Sequence, residues 1–166
     1  MCGILGMVGK SDRELLQAMC NSLIHRGPDD EGMYLDKYAA IGVRRLSIID
    51  LETGHQPIPN ENKTMWVVNN GEIYNYKDIR SVLKKKGHKF CTNSDTDVII
   101  HAYEDYGDDC VREFNGDFAF AIWDAERKEL FAARDRIGVK PFYYWQQGSV
   151  LLFGSEIKAI LQDPSF

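Results

Sequence analysis

The chain has 166 residues, 44% hydrophobic and 27% charged, with a formal net charge of −5. That length and balance suit one soluble globular domain with a core of its own, and the acidic charge gives nucleic-acid binding no support. The short basic cluster Lys84-Lys85-Lys86 reads as a solvated helix end.

No apolar run approaches a membrane span, and Lys10, Asp12, Arg13 and Glu14 interrupt anything like a signal peptide. The expectation is a cytoplasmic protein with no membrane contact. Cys2, Cys20, Cys91 and Cys110 show no CxxC spacing, which fits a reducing compartment. His25, His55, His88 and His101 are scattered along the chain, so no metal site is expected.

In chain order, Gly3 to Gly9 reads as a short buried strand. Ser11-Asp12-Arg13-Glu14 is a capping-box pattern opening a helix whose Leu15, Leu16, Met19 and Leu23 make an apolar stripe. Arg26-Gly27-Pro28-Asp29-Asp30 breaks that helix into a loop. Strands are expected at Met33–Leu35, Ala39–Val43 and Met65–Val68. Asn75 is positioned to cap a helix from Tyr76 to Lys86, closed by Gly87. Ser94 or Asp95 caps the next, with Val98, Ile99, Ala102 and Tyr106 facing inward.

The run from Asp117 to Asp124 is apolar on both faces, unlike a half-exposed strand. Leu130–Ala133, Phe142–Trp145 and Val150–Phe153 follow as strands, and a last short helix begins near Ser155. Early helices with strands buried on both faces imply two stacked sheets flanked by helices, rather than a regular βαβ alternation.

Four segments carry chemistry, each with a plain structural alternative. Cys2, if Met1 is trimmed, joins a thiol to a free α-amine, so one residue supplies both nucleophile and base. Alternatively it is a small apolar residue opening a strand. Asn70-Gly71 lies between apolar runs, a strong hairpin-turn signal. The same pair offers the Asn70 amide and the Gly71 N–H to an oxyanion. Arg45, before Leu46-Ser47-Ile48-Ile49-Asp50, is either an exposed strand-end cation or a clamp for a carboxylate. Asp95 within Ser94-Asp95-Thr96-Asp97 suits a helix start and equally an ammonium site.

The turn from Ala133 to Tyr144 receives no catalytic step. No phosphate loop, dinucleotide fingerprint, HExxH or G-x-S-x-G elbow is present.

Taken together, Cys2-Gly3-Ile4, His25-Arg26-Gly27-Pro28-Asp29, Arg45-Leu46-Ser47-Ile48-Ile49-Asp50 and Gln56-Pro57 resemble the class II glutamine amidotransferases. Asn70-Gly71-Glu72-Ile73-Tyr74-Asn75, Ser94-Asp95, the run from Asn115 to Phe120, Arg134 to Gly138 and Ser155 to Ala159 continue the match in order. Arg-Leu-Ser-Ile-x-Asp and Asn-Gly-Glu-Ile-Tyr-Asn resemble the N-terminal glutaminase domain of the asparagine synthetase branch.

The resemblance implies an α+β fold, the four-layer α/β/β/α sandwich of N-terminal-nucleophile hydrolases, over residues 1–166. It implies that Cys2 attacks the side-chain amide of L-glutamine and that Asn70 and Gly71 hold the oxyanion. It places the substrate carboxylate on Arg45 and the ammonium on Glu72 and Asp95, with Leu46, Ser47, Ile48 and Ile49 lining the pocket. Ammonia passes to a synthetase domain or subunit that makes asparagine from aspartate. No cofactor is expected here, since ATP and Mg²⁺ belong to that synthetase domain, whose Ser-Gly-Gly-x-Asp-Ser signature is absent from these residues. An unprotected sheet edge at the chain's end would promote association, a homodimer included. The rival readings are a non-catalytic glutamine-binding regulatory domain of the same fold, and another N-terminal-nucleophile amidohydrolase.

Overall fold

The computed structural model describes residues 1–47, 50 and 53–165. Ile48 and Ile49 lie outside the described residues. The strands are β1 (Gly3–Val8), β2 (Asp30–Leu35), β3 (Ala39–Arg45), β4 (Ile58–Pro59), β5 (Met65–Ile73), β6 (Gly116–Asp124), β7 (Glu129–Arg134), β8 (Tyr143–Gln147) and β9 (Val150–Gly154). Helices α1 (Arg13–Ser22), α2 (Tyr76–Lys85), α3 (Asp97–Tyr106) and α4 (Ile157–Ile160) complete the set, with a 3₁₀ turn at Gly107–Arg112.

One sheet has the order β2-β3-β1-β9-β8 and the other β4-β5-β6-β7. Side-chain alternation along the strands creates three apolar layers. Ile4 points between the sheets with Val68, Ala119, Ala121, Trp123 and Phe153. Leu5 and Met7, its neighbours on the opposite face, pack under α1 and α4 with Leu16, Met19 and Ile160. Across the molecule, Phe118, Phe120 and Ile122 of β6 meet Leu83 of α2 and Ile99 of α3. The product is a four-layer α/β/β/α sandwich. It explains why β6 is apolar on both faces: one face meets a sheet and the other a helix layer. Trp123 is fully buried yet keeps a partner, donating from Nε1 to Asp36 Oδ2 at 2.6 Å. Burying a side chain of this size stabilises by roughly 1.5–3 kcal/mol.

Several local signals were overridden. Ser11 does not cap α1. Asp12 does, its Oδ1 accepting from Leu15 N at 3.0 Å, while the Ser11 hydroxyl donates to Ala39 O at 3.3 Å. A carboxylate complements the helix N-terminus better than a hydroxyl, and β3 offers Ser11 another partner. Asn75 holds the N-cap position of α2 but makes no capping bond. Its side chain instead bridges Glu113 O and Asn115 N, both at 2.9 Å.

Asn70-Gly71 is no hairpin turn. β5 runs straight through it, with Asn70 opposite Ala119 and Gly71 opposite Phe118, out to Ile73 opposite Gly116. A turn there would sacrifice that ladder, which outweighs the dipeptide's preference. The strand expected at Phe142–Trp145 is β8, Tyr143–Gln147, a largely exposed edge strand. Phe142 lies before it and stacks on Phe153, ring centroids 5.4 Å apart.

Candidate active site

The antiparallel register of β1 on β3 sets Gly3 against Arg44. Cys2 therefore emerges beside Arg45, where β3 ends. Its thiol donates to Leu46 O at 3.7 Å, and its carbonyl oxygen accepts from Arg26 Nε at 2.9 Å. Burial pushes the Cys2 thiol above its usual range, and the Asp95 carboxylate adds to the rise. The positive chain terminus and the Arg45 guanidinium pull it back without cancelling the effect. The thiol is thus protonated at neutral pH and needs a base before it attacks.

Asn70 faces the same cleft from β5. Its side chain is buried, and Nδ2 has no hydrogen-bond partner among the described residues. A buried donor without an acceptor costs about 1–3 kcal/mol, so its placement here calls for an acceptor that arrives with a ligand. Gly71 follows with φ +142°, and a Cβ there would sit 2.0 Å from Asp117 O. Only glycine fits this backbone against β6.

Behind them Asn69 is held by Gln56, whose Oε1 accepts from Asn69 N at 2.7 Å. The Gln56 side chain thereby continues the β4–β5 ladder past Ile58 opposite Val67. Its Nε2 donates to Thr96 Oγ1 at 3.3 Å.

Arg45 is buried, with Nη2 donating to Asp50 O at 2.7 Å. Asp50 adopts φ +53°, turning that carbonyl toward the guanidinium, and its Oδ2 accepts from Asn93 N at 2.8 Å. At Gly54 a Cβ would fall 2.5 Å from Arg45 Nη2, so glycine makes room for the cation. Opposite stands Asp95, only 4% exposed, with Oδ2 accepting from Ile73 N at 2.9 Å and Oδ1 3.3 Å from Ser94 Oγ. Burial raises the Asp95 carboxyl, and the neighbouring Glu72 carboxylate adds to the rise, against the pull of those bonds. Neither Ser94 nor Asp95 caps α3. Thr96 holds that position, leaving Asp95 to clasp the end of β5.

Cys2, Arg45, Leu46, Asn70, Gly71, Glu72 and Asp95 line one open cleft of about 510 Å³, solvent at its mouth included. Ser47 is not in its wall; its N–H donates to Asp29 Oδ2 at 2.9 Å. Gln56, Asn69, Ser94, Thr96 and Lys140 also line the cleft, and the sequence reading gives none of them a role in the site. Lys140 is delivered by the turn after β7, which Asp135 organises by accepting from Val139 N at 2.7 Å and Lys140 N at 2.9 Å. The motif fragments Gln56-Pro57 and Arg134 to Gly138 were the available signal, but neither placed a side chain.

The sequence model of the family described as "Glutamine amidotransferase domain" matches residues 1–166. The chain is 46% identical over 171 residues to asparagine synthetase (glutamine-hydrolyzing) 3 of Bacillus subtilis strain 168, covering 99% of this chain and 28% of that protein. It is 40% identical over 168 residues to asparagine synthetase (glutamine-hydrolyzing) 1 of the same organism, covering 97% and 27%. The chain therefore spans little more than a quarter of the length of these relatives. Glutamine phosphoribosylpyrophosphate amidotransferase from B. subtilis superposes with a TM-score of 0.79 at 21% identity, over 96% of this chain and 43% of that one. At that identity the likeness shows the fold alone.

Proposed function

Because this chain belongs to the glutamine amidotransferase domain family, we propose that residues 1–166 form a glutaminase domain that hydrolyses the side-chain amide of L-glutamine through Cys2. The observation that carries this reading is a buried cation, Arg45, and a buried anion, Asp95, lining the same cleft as the Cys2 thiol. An α-amino acid bears the complementary pair of charges, and its side chain is then directed at the sulfur. The guanidinium takes the α-carboxylate, while Asp95 and Glu72 take the α-ammonium. Ammonium binding would offset the burial that raises the Asp95 carboxyl.

Trimming of Met1 converts the Cys2 amide nitrogen into an α-amine, which titrates at roughly 7.7–8.0. That amine takes the thiol proton as sulfur attacks Cδ of glutamine, and the carbonyl π electrons move onto oxygen. Asn70 Nδ2 and the Gly71 N–H donate to this oxyanion, so Asn70 gains its acceptor only as the transition state forms. The ammonium returns its proton to the departing nitrogen, the C–N bond breaks, and ammonia leaves a γ-glutamyl thioester. Water, deprotonated by the same amine, adds to the thioester and releases glutamate and the thiol.

These steps use the chain's own side chains and terminus. The family relatives support an ammonia acceptor in a synthetase domain or subunit, where ATP and Mg²⁺ would activate aspartate for asparagine synthesis. A reducing cytoplasm suits an exposed Cys91 and a working Cys2 thiol. No helix among the described residues is long and apolar enough to cross a membrane.

Intact-mass spectrometry before and after 6-diazo-5-oxo-norleucine tests this reading. Loss of Met1 and one adduct, absent in Cys2→Ala, is the expected result. A Met1-free chain that binds glutamine without forming an adduct would instead be a regulatory glutamine-binding domain. Labelling that acyl amides or peptides compete away better than glutamine would point to a different amidohydrolase.

A further inference from the structure

A second constellation lies outside the cleft and shares none of its lining residues. We infer that Glu61, His88, His101 and Glu104 form a divalent transition-metal site, zinc by ligand type. Glu61 comes from the turn between β4 and β5, His88 from the segment after α2, and His101 and Glu104 from one face of α3. One candidate ligand atom from each residue lies within 4.8 Å of all the others.

Four of the six donor separations are close to those of a tetrahedron, with Glu61 presenting Oε1 to one imidazole and Oε2 to the other. Zinc bonds of about 2.05 Å place tetrahedral ligand atoms about 3.3 Å apart. Here His88 Nδ1 lies 3.5 Å from Glu61 Oε1 and 3.6 Å from Glu104 Oε2. His101 Nδ1 lies 3.5 Å from Glu61 Oε2 and 2.9 Å from Glu104 Oε2. Converging on one centre requires Glu61 to turn a single oxygen toward both imidazoles.

The surrounding shell supplies an independent observation. Both imidazoles turn Nδ1 inward and Nε2 toward an aspartate: His88 Nε2 is 3.2 Å from Asp105 Oδ1, and His101 Nε2 is 3.4 Å from Asp97 Oδ1. The Asp105 contact fixes the Nε2–H tautomer of His88 and leaves its Nδ1 lone pair for a metal, whereas His101 Nε2 and Asp97 Oδ1 face each other without a hydrogen bond. The carboxylate ligands are oriented as well, Glu104 by Asn60 Nδ2 at 2.8 Å and Glu61 by Lys89 N at 2.8 Å.

Two neutral imidazoles and two carboxylates balance a dication, and two nitrogen ligands disfavour Ca²⁺ and Mg²⁺. Side-chain exposure runs from 0% at His101 through 16% at His88 to 27% at Glu61, so an ion can enter yet lose most of its water. The alternative is a proton in the metal's place: against burial, Asp97 and Glu104 raise His101 to about 9. His88 and His101 are 13 positions apart on different segments, which is why spacing alone conceals the pair and why no metal site was expected. Bound metal would tie the β4–β5 turn to α3, and so the strand bearing Asn70 to the helix that follows Asp95.

The purified chain is dialysed against micromolar Zn²⁺ and assayed for bound metal, then loaded with Co²⁺ for visible spectroscopy. His88→Gln and Glu61→Gln change part-exposed ligands and leave buried His101 intact, and circular dichroism checks their fold. The expected result is one equivalent retained, at least ten-fold weaker retention in each folded variant, and tetrahedral cobalt bands without sulfur charge transfer. At a hundred-fold excess over Kd, the parent's unfolding midpoint should rise by about 5 °C or more. No retained zinc, retention unchanged in both variants, or a sulfur-to-cobalt band would each overturn the site. None of these readouts depends on glutamine hydrolysis.

Discussion

Arg26 donates from Nε to the carbonyl oxygen of Cys2 at 2.9 Å, fixing the main chain of the proposed nucleophile from a residue 24 positions away. The guanidinium is itself held by Glu156, with Nη1 3.0 Å from Oε1. His25 and Lys158 share that carboxylate at 2.9 and 3.1 Å. Cys2 is thus positioned by a chain of contacts reaching the end of β9.

Glu156→Gln should therefore slow labelling of Cys2 by 6-diazo-5-oxo-norleucine several-fold. It should cost about 1 kcal/mol of stability, because the ion pairs are partly solvated. Denaturant midpoints and labelling rates read the two effects separately. Unchanged labelling in a destabilised variant would remove Glu156 from the positioning role.

The same carboxylate makes a pH signature. Although burial pushes it up, the bonds from His25, Arg26 and Lys158 lower Glu156 from 4.5 to about 2. A depressed acid contributes stability that is present above 4.5 and lost as pH falls toward 2. Acid titration of unfolding should show this loss in the parent and a shallower one in Glu156→Gln. Parallel curves would show that the carboxylate does not carry it.

Asn70→Ala should reduce kcat by about a hundred-fold or more while KM changes little, since its donor is needed once the oxyanion forms. Steady-state glutaminase assays at varied glutamine separate the two parameters. A change confined to KM would assign Asn70 to ground-state binding instead.

Asp95→Asn tests a trade between binding and stability. Burial raises the Asp95 carboxyl, so its charge destabilises the ligand-free protein at neutral pH. Its favourable contribution belongs to low pH and disappears as pH rises through the folded-state pKa. The amide still offers an oxygen to Ile73 N and removes the charge. The variant should gain about 0.5–2 kcal/mol of stability, while KM for glutamine rises at least ten-fold. Lost stability with unchanged KM would reverse both inferences.

Gly71→Ala places a methyl group against Asp117 O at a backbone φ of +142°. A loss of about 3 kcal/mol or more is expected from strain and ladder distortion, read from the denaturant midpoint. Near-parental stability would mean that β5 relaxes there without cost.

Much of the fold was legible because its determinants are local and periodic. Leu15, Leu16 and Met19 mark one face of α1, and the doubly apolar run of β6 announced a strand between two layers. The fragments around Cys2, Arg45, Asn70 and Asp95 named part of the cleft wall, but not Gln56, Thr96 or Lys140. They did not show that Asp50 and Gly54 seat Arg45, or that Gln56 holds Asn69. Those contacts depend on loop paths with no periodic signature.

By itself the sequence determined which segments could be strands or helices and which side chains had reactive chemistry, since period and side-chain type are properties of the local chain. Tertiary structure decided what those groups face. The ladder with β6 kept Asn70-Gly71 extended where its dipeptide preferred a turn, leaving Asn70 Nδ2 in the cleft. The β1–β3 register brought Cys2 beside Arg45, and packing of α3 against the β4–β5 turn brought His101 to Glu61. The physical reason is the same throughout: sheet register and layer packing are cooperative over the whole domain, and they prevail over preferences that a few residues express alone.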